Sequence, residues 1–268
     1  MRLILSDIDR TIMPWGESVV PMRVREAFHF AAEHDCAAGL ATGRSYGWAK
    51  TLCEGDEACY ATSVATNGLE ICYAGELILE KRIPIECCRR MAKVTSEISH
   101  AGLVYFEGTD PVLVEGTQKD LIQAFPRYGK ACRAGVLPEH DILKVNAFVA
   151  GDLAATAALK EALAAECPEL DFDVPQPGFN NIMPKGWNKG AAVLYLADYL
   201  GVSEDDVFVF GDAENDLSML GAVKNSVAVS NATPAAAAAA RWHIGACDDF
   251  AVAEAIEALA RGEFPFAE

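Results

Sequence analysis

At 268 residues, 51% hydrophobic and 23% charged, the chain has ordinary soluble composition and enough length for two modest domains or one large one. Its net charge of −17 argues against a nucleic-acid or anionic-membrane partner, because phosphate backbones are held by clustered Lys and Arg; an anionic substrate must meet cations concentrated locally. Nine cysteines without a CxxC pair or zinc spacing read as buried reduced thiols; the opening run is too short for a signal peptide and no segment approaches the ~20 apolar residues of a spanning helix, so a cytoplasmic protein is expected.

Residues 3–8 form a short apolar run with no helical period, closed by the polar turn Asp9-Arg10-Thr11, which predicts a buried strand ending in a loop. Residues 23–34 read as a helix, 37–42 as a second strand ending at Gly43, and Ser45 as the N-cap of a helix running to residue 52. This alternation predicts a doubly wound, Rossmann-like α/β core with a parallel sheet. A third apolar run at 63–66 breaks at Asn67-Gly68, and alternating stretches at 69–73 and 77–83 predict a hairpin turned at Ala74-Gly75. From 85 to 182 the rhythm becomes helix, two strands, short helix, strand, helix and two closing strands, which is an α+β domain rather than more of the parallel sheet. The parallel rhythm returns with a helix at 189–200, a strand at 207–210, a helix from Glu214, a strand at 226–229 and a terminal helix from about residue 250. Residues 1–84 and 183–268 are thus expected to form one core, with 85–182 inserted into it. The alanine run at 235–240 reads as part of a packed helix.

Ligands of doubly wound sheets bind at the carboxyl ends of the strands, so the residues after each predicted strand carry the argument. The first strand ends in Asp7-Ile8-Asp9, whose two carboxylates share one side of an extended chain. The second ends in Thr42-Gly43-Arg44: a hydroxyl, a backbone N–H without a side chain and a cation at a helix start, a set suited to an anion. Lys189 opens a helix, where the dipole disfavours a cation, and this implies a local anion. The strand at 207–210 runs into Gly211-Asp212-Ala213-Glu214-Asn215-Asp216, whose hard oxygen ligands suit Mg²⁺.

The four segments, in order as Asp7-x-Asp9-x-Thr11, Thr42-Gly43-Arg44, Lys189-Gly190 and Gly211-Asp212-x-x-Asn215-Asp216, resemble the haloacid dehalogenase superfamily of phosphatases along the whole chain. The likeness is in particular to its Cof-type branch, which carries an α/β cap between the second and third motifs. Asn67-Gly68 and Asn231-Ala232 also look like positions of that branch. The resemblance implies that Asp7 is the nucleophile and Asp9 the general acid and base. It implies Mg²⁺ held by the Asp7 carboxylate, the Asp9 carbonyl and Asp212, with Asn215 and Asp216 in support. It further implies a phosphoryl group held by Thr42, Gly43 and Lys189, and small phosphorylated metabolites such as sugar phosphates selected by the cap. A carboxylate attacks a phosphoryl centre only where metal and lysine screen two like charges, which agrees with this set.

Arg10 stands where the family usually has glycine; a positive φ there would strain it, and otherwise its side chain would reach outward toward the cap. Trp15, Trp48 and Trp187 lie near the motifs, with core packing as the default expectation for each. Two other functions share these residues: a phosphomutase or phosphotransferase that delivers the same aspartyl-phosphate to a hydroxyl, and a non-catalytic metal- or phosphate-binding regulator. A dehalogenase needs only one of the two aspartates. Oligomeric state is not legible in the sequence.

Overall fold

The computed structural model describes residues 1–266. Its first part holds β1 (Arg2–Ser6), α1 (Met22–Ala32), β2 (Cys36–Ala41), α2 (Tyr46–Leu52), α3 (Glu57–Tyr60), β3 (Ser63–Ala65), β4 (Glu70–Tyr73) and β5 (Glu76–Glu80). Next come α4 (Ile85–Ser96), β6 (Ala101–Glu107), β7 (Asp110–Glu115), α5 (Gln118–Ala124), α6 (Pro126–Ala131), β8 (Arg133–Ala134), β9 (Val145–Val149), α7 (Leu153–Glu166), β10 (Leu170–Gln176) and β11 (Phe179–Pro184). The last part is α8 (Lys189–Leu200), β12 (Val207–Gly211), α9 (Leu217–Ala222), β13 (Asn225–Val229), α10 (Pro234–Ala239), β14 (Trp242–Ile244) and α11 (Ala251–Ala260). The chain divides into two compact units, Met1–Leu79 with Asn188–Glu268, and Glu80–Trp187; the sequence boundaries 85 and 182 fall inside the second.

In the first unit one sheet runs β14-β13-β12-β1-β2-β3-β4-β5. Strands β14 to β3 are parallel, and β4 turns back antiparallel on β3. Leu3, Ile4 and Leu5 of β1 are all fully buried, as a central parallel strand covered on both faces requires, which is why this stretch shows no alternation. One face packs against α1 and α11 through Ile4, Phe28, Leu40, Phe210, Ile256 and Leu259. The hairpin turns at Ala74 (φ 50) and Gly75 (φ 82), a left-handed pair matched to the twist of its strands.

The second unit is a six-stranded sheet, β10-β11-β9-β6-β7-β8, antiparallel except between β7 and β8. Strand alternation divides its apolar residues between the two faces. Ala147 and Val149 join Met91, Leu159 and Leu163 of α4 and α7, while Phe148 joins Phe106, Leu121 and Phe179 on the opposite face.

Several expectations shift. β1 stops at Ser6 because the Ile8 carbonyl accepts from the amides of Thr11, Ile12 and Met13, which winds the chain into a turn although Ile8 stays buried. The helix expected from Glu214 is first a single tight turn over Glu214–Asp216, with α9 starting at Leu217. The short elements α3, β8 and β14 had no reading in the sequence, being too brief to show a period. All nine cysteines are free thiols, Cys36 and Cys132 half-buried and the others buried. Among the described residues no helix is long and apolar enough to cross a membrane.

Candidate active site

β1 lies between β12 and β2, with Ser6 opposite both Phe210 and Leu40, so the three loops that follow these strands emerge side by side. The connections also diverge here, to β2 and β3 on one side and to β13 and β14 on the other, which makes the mouth between β1 and β12 a topological switch point. Asp7 continues the ladder by donating its amide to the Phe210 carbonyl at 2.9 Å, and this fixes its side chain at the sheet's carboxyl edge.

Lys189, the first residue of α8, is 1% exposed and reaches Asp7 Oδ1 at 2.9 Å and Asp216 Oδ1 at 2.6 Å. The anion expected to offset its place at a helix start is thus a pair of carboxylates. Burial alone would lower its pKa, but Asp216 and then Asp7 reverse that and hold it protonated. The other oxygen of Asp216 accepts from the amides of Asp212 (2.9 Å) and Ala213 (3.2 Å), so Asp216 shapes the loop that presents Asp212. Thr11 donates to Asp212 Oδ1 at 3.3 Å.

Ligand oxygens of Asp7, Asp212 and Asp216 lie within 4.8 Å of one another, and all three residues are buried. Burial pushes the Asp7 carboxyl well above the usual range; Lys189 opposes this, while Asp216, Asp9 and Asp212 add to it. Burial and then Asp216 push Asp212 up to about 6, against the pull of Arg10, Thr11 and Lys189. One ammonium among three buried carboxylates leaves an excess of negative charge, and hard oxygens on a rigid frame fit a small divalent cation. Asp216 is spent on Lys189 and two amides, so Asp7 and Asp212 are the carboxylates of the cluster that could hold one.

Asp9 does not join this cluster. Its half-exposed carboxylate is gripped by the Arg44 guanidinium, with Nε donating to Oδ2 at 2.8 Å and a second bond completing the fork. Arg44 in turn lies over the Trp48 ring at 5.3 Å. Thr42 is buried, and its Oγ1 accepts from the Arg44 amide at 3.2 Å, leaving the hydroxyl proton to donate. The Thr42 carbonyl accepts from the Asn67 amide (2.9 Å), and a Cβ on Gly43 would stand 3.0 Å from Asn67 Oδ1, so a side chain there would crowd Asn67. Thr66, Asn67 and Gly68 carry consecutive positive φ values of 50, 54 and 102, and Asn67 Oδ1 is buried without a hydrogen-bond partner. Asn215 sits half-buried on the single turn and makes no side-chain hydrogen bond among the described residues.

Arg10 has φ 62, so the left-handed alternative holds. Its guanidinium donates to the Asn231 carbonyl at 3.1 Å, with Nε 3.9 Å from Asp212 Oδ2; Asn231 returns a bond from Nδ2 to the Arg10 carbonyl at 2.8 Å. Of the tryptophans, Trp48 packs partly against the core, Trp187 carries Lys81 at 4.3 Å over its ring, and Trp15 is 89% exposed, against the core expectation. The sequence places Gly190 and Gly211 in the motifs, but not the close approaches that only glycine admits. A Cβ on Gly190 would lie 2.2 Å from the Ser218 carbonyl oxygen, and one on Gly211 would lie 2.7 Å from Asp216 Oδ2. Their adjacency to Lys189 and Asp212 was the available signal.

The profile of the haloacid dehalogenase-like hydrolase family matches residues 4–256. The chain is 25% identical over 261 residues to the YkrA protein of Bacillus subtilis (strain 168), covering 96% of this chain and 97% of that one. It is 45% identical to the HMP-PP phosphatase of Enterobacter sp. (strain 638), but over only 53 residues, or 20% of each chain. Among solved structures, SMU.1108c of Streptococcus mutans UA159 superposes with a TM-score of 0.84 at 22% identity, covering 97% of this chain and 99% of that one. The HAD subclass IIB sugar phosphatase BT4131 superposes with a TM-score of 0.79 at 18% identity over the same shares. With the family profile spanning nearly its whole length, the chain belongs to the haloacid dehalogenase-like hydrolases.

Proposed function

We propose that the protein is a phosphatase that hydrolyses phosphate monoesters of small metabolites through a phosphoryl group carried on Asp7. The observation that carries this reading is Lys189, buried and bonded to both Asp7 and Asp216, beside Asp212 in one acidic cluster. Mg²⁺ held by Asp7, the Asp9 carbonyl and Asp212 would supply the charge that lets a carboxylate approach a phosphate dianion.

Asp7 forms the new bond to phosphorus with its carboxylate oxygen, and the ester oxygen departs with the bonding pair. Lys189 orients Asp7 and meets charge on the equatorial oxygens, and the Thr42 hydroxyl donates to one of them. Asp9 gives a proton to the departing oxygen and later takes one from the water that hydrolyses the Asp7 ester, so protons balance over the cycle. For that, Arg44 must release at least one Asp9 oxygen, and the arriving anion is the natural competitor for its guanidinium. The named activities of the relatives, HMP-PP and sugar phosphatases, agree with small phosphorylated substrates.

The test is phosphate release from a panel of sugar phosphates, nucleotides and diphosphate esters with and without Mg²⁺, followed by rapid acid quench with labelled substrate. The expected result is metal-dependent release and acid-stable label on Asp7. Release that persists in Asp7→Asn, or transfer only to an added sugar hydroxyl and never to water, would overturn the reading.

A further inference from the structure

We propose that Arg10 is an anion-recognition residue that selects substrates with a second acidic group beside the transferred phosphoryl group, such as diphosphate monoesters; this rests on the phosphatase reading above. Arg10 occupies a left-handed position (φ 62) that side chains rarely adopt and glycine fills freely. A long cation kept at such a position, where the surrounding loop determines its conformation, points to a use for the side chain.

The place of that side chain says what the use is. Nε lies 3.9 Å from Asp212 Oδ2, and the side chains are 45% and 3% exposed, so the guanidinium stands where the buried acidic cluster opens to solvent. The other site cations are committed, with Lys189 bonded to two buried carboxylates and Arg44 forked on Asp9. Arg10 is bound more loosely, to one backbone carbonyl and to a carboxylate at the limit of ion-pair distance.

A cation held by Asp212 takes over the charge that Arg10 now faces. The guanidinium then has a positive neighbour and spare N–H donors, an arrangement that repels unless an anion lies between them. The transferred phosphoryl group already has the metal, Lys189 and Thr42. A further cation one group away therefore suits a further anionic group, and the planar fork of arginine suits a phosphate or carboxylate.

Calorimetric titration of inorganic phosphate and of pyrophosphate into the wild type, Arg10→Gly and Arg10→Gln, all at one free Mg²⁺ concentration, tests this. Arg10→Gly relieves the backbone and so folds, while Arg10→Gln keeps the backbone strain and removes only the charge. Both are expected to weaken pyrophosphate about 10-fold or more beyond any change in phosphate, the loss of a charge-assisted hydrogen bond. Metal chelation by pyrophosphate cancels between variants. Equal losses for the two ligands, or a loss confined to one variant, would overturn the proposal and leave Arg10 as a latch on the Asn231 loop. If the preference shifts as expected but no ester releases phosphate with Mg²⁺, the phosphatase reading fails while Arg10 keeps its anion.

Discussion

Replacing Lys189 with methionine isolates the interaction on which the site depends. The side chain is 1% exposed and bridges Asp7 at 2.9 Å and Asp216 at 2.6 Å, and methionine fills a similar volume without charge. Removing one partner of a buried ion pair costs about 3–5 kcal/mol, because the remaining charge has neither water nor counter-ion. Here the deficit depends on pH in a calculable direction. Asp7 has a folded pKa above its unfolded value, so it favours the folded state when protonated and loses that contribution as pH rises through the folded pKa. Without the lysine that pKa moves higher still. Urea unfolding in EDTA should therefore show the smallest deficit in acid and a deficit that grows toward about 3–5 kcal/mol as pH rises, with Lys189→Arg losing less throughout. Mg²⁺ should recover part of the deficit by binding only the folded form. A loss in Lys189→Met that stays the same from acid to alkaline pH would mean that Lys189 acts by packing rather than charge, and the electrostatic account would fall.

Asp9→Ala should slow phosphorylation of Asp7 by roughly 10²–10⁴-fold for an alkyl phosphate and much less for p-nitrophenyl phosphate, whose leaving group needs no proton; single-turnover measurements that find equal losses refute the acid role. The same variant with p-nitrophenyl phosphate should give a burst of nitrophenolate and then slow turnover, because hydrolysis of the Asp7 ester still needs a base. Metal-induced stabilisation should grow as pH rises past about 6, where Asp212 ionises in the metal-free protein, and a melting-temperature gain from Mg²⁺ that is flat between about pH 5 and 8 would contradict it. Gly190→Ala places a Cβ 2.2 Å from the Ser218 carbonyl oxygen, so it should displace α8 from α9 at a cost of about 1–3 kcal/mol, read as a lower urea midpoint; wild-type stability would show that the contact yields freely.

Much of the first unit could be read along the chain because each strand there carries its own signal. The apolar runs at 3–8, 37–42 and 207–210 are short, unbroken and followed by polar turns, which is what burial on both faces of a parallel sheet demands. The helix expected at 189–200 is α8, residue for residue. Lys189 was the most informative single residue, since a cation at a helix start is locally unfavourable and so implied a local anion, which Asp7 and Asp216 supply. Local pattern failed where the deciding contact came from elsewhere, as at Ser6, where one carbonyl collecting three amides ended the strand, and at Trp15, whose apolar ring found no partner in the core.

By itself the sequence determined which chemical groups are present, their order, and that each follows a strand, because residue type and local periodicity are properties of the chain alone. The family resemblance added that Arg10 stands where glycine is usual. What only the tertiary structure decided is how these groups divide among themselves. Asp7 and Asp9 sit two residues apart, which in an extended chain gives them one direction, yet one joins the buried cluster with Lys189 and the other is taken by Arg44. Asp212 and Asp216 look alike in sequence, yet backbone amides and Lys189 occupy Asp216 while Asp212 accepts from Thr11 and lies 3.9 Å from the Arg10 guanidinium. The reason is physical: the side-chain partners that distinguish these carboxylates arrive from 27 to 201 positions away, and the register of neighbouring strands sets the distances between them.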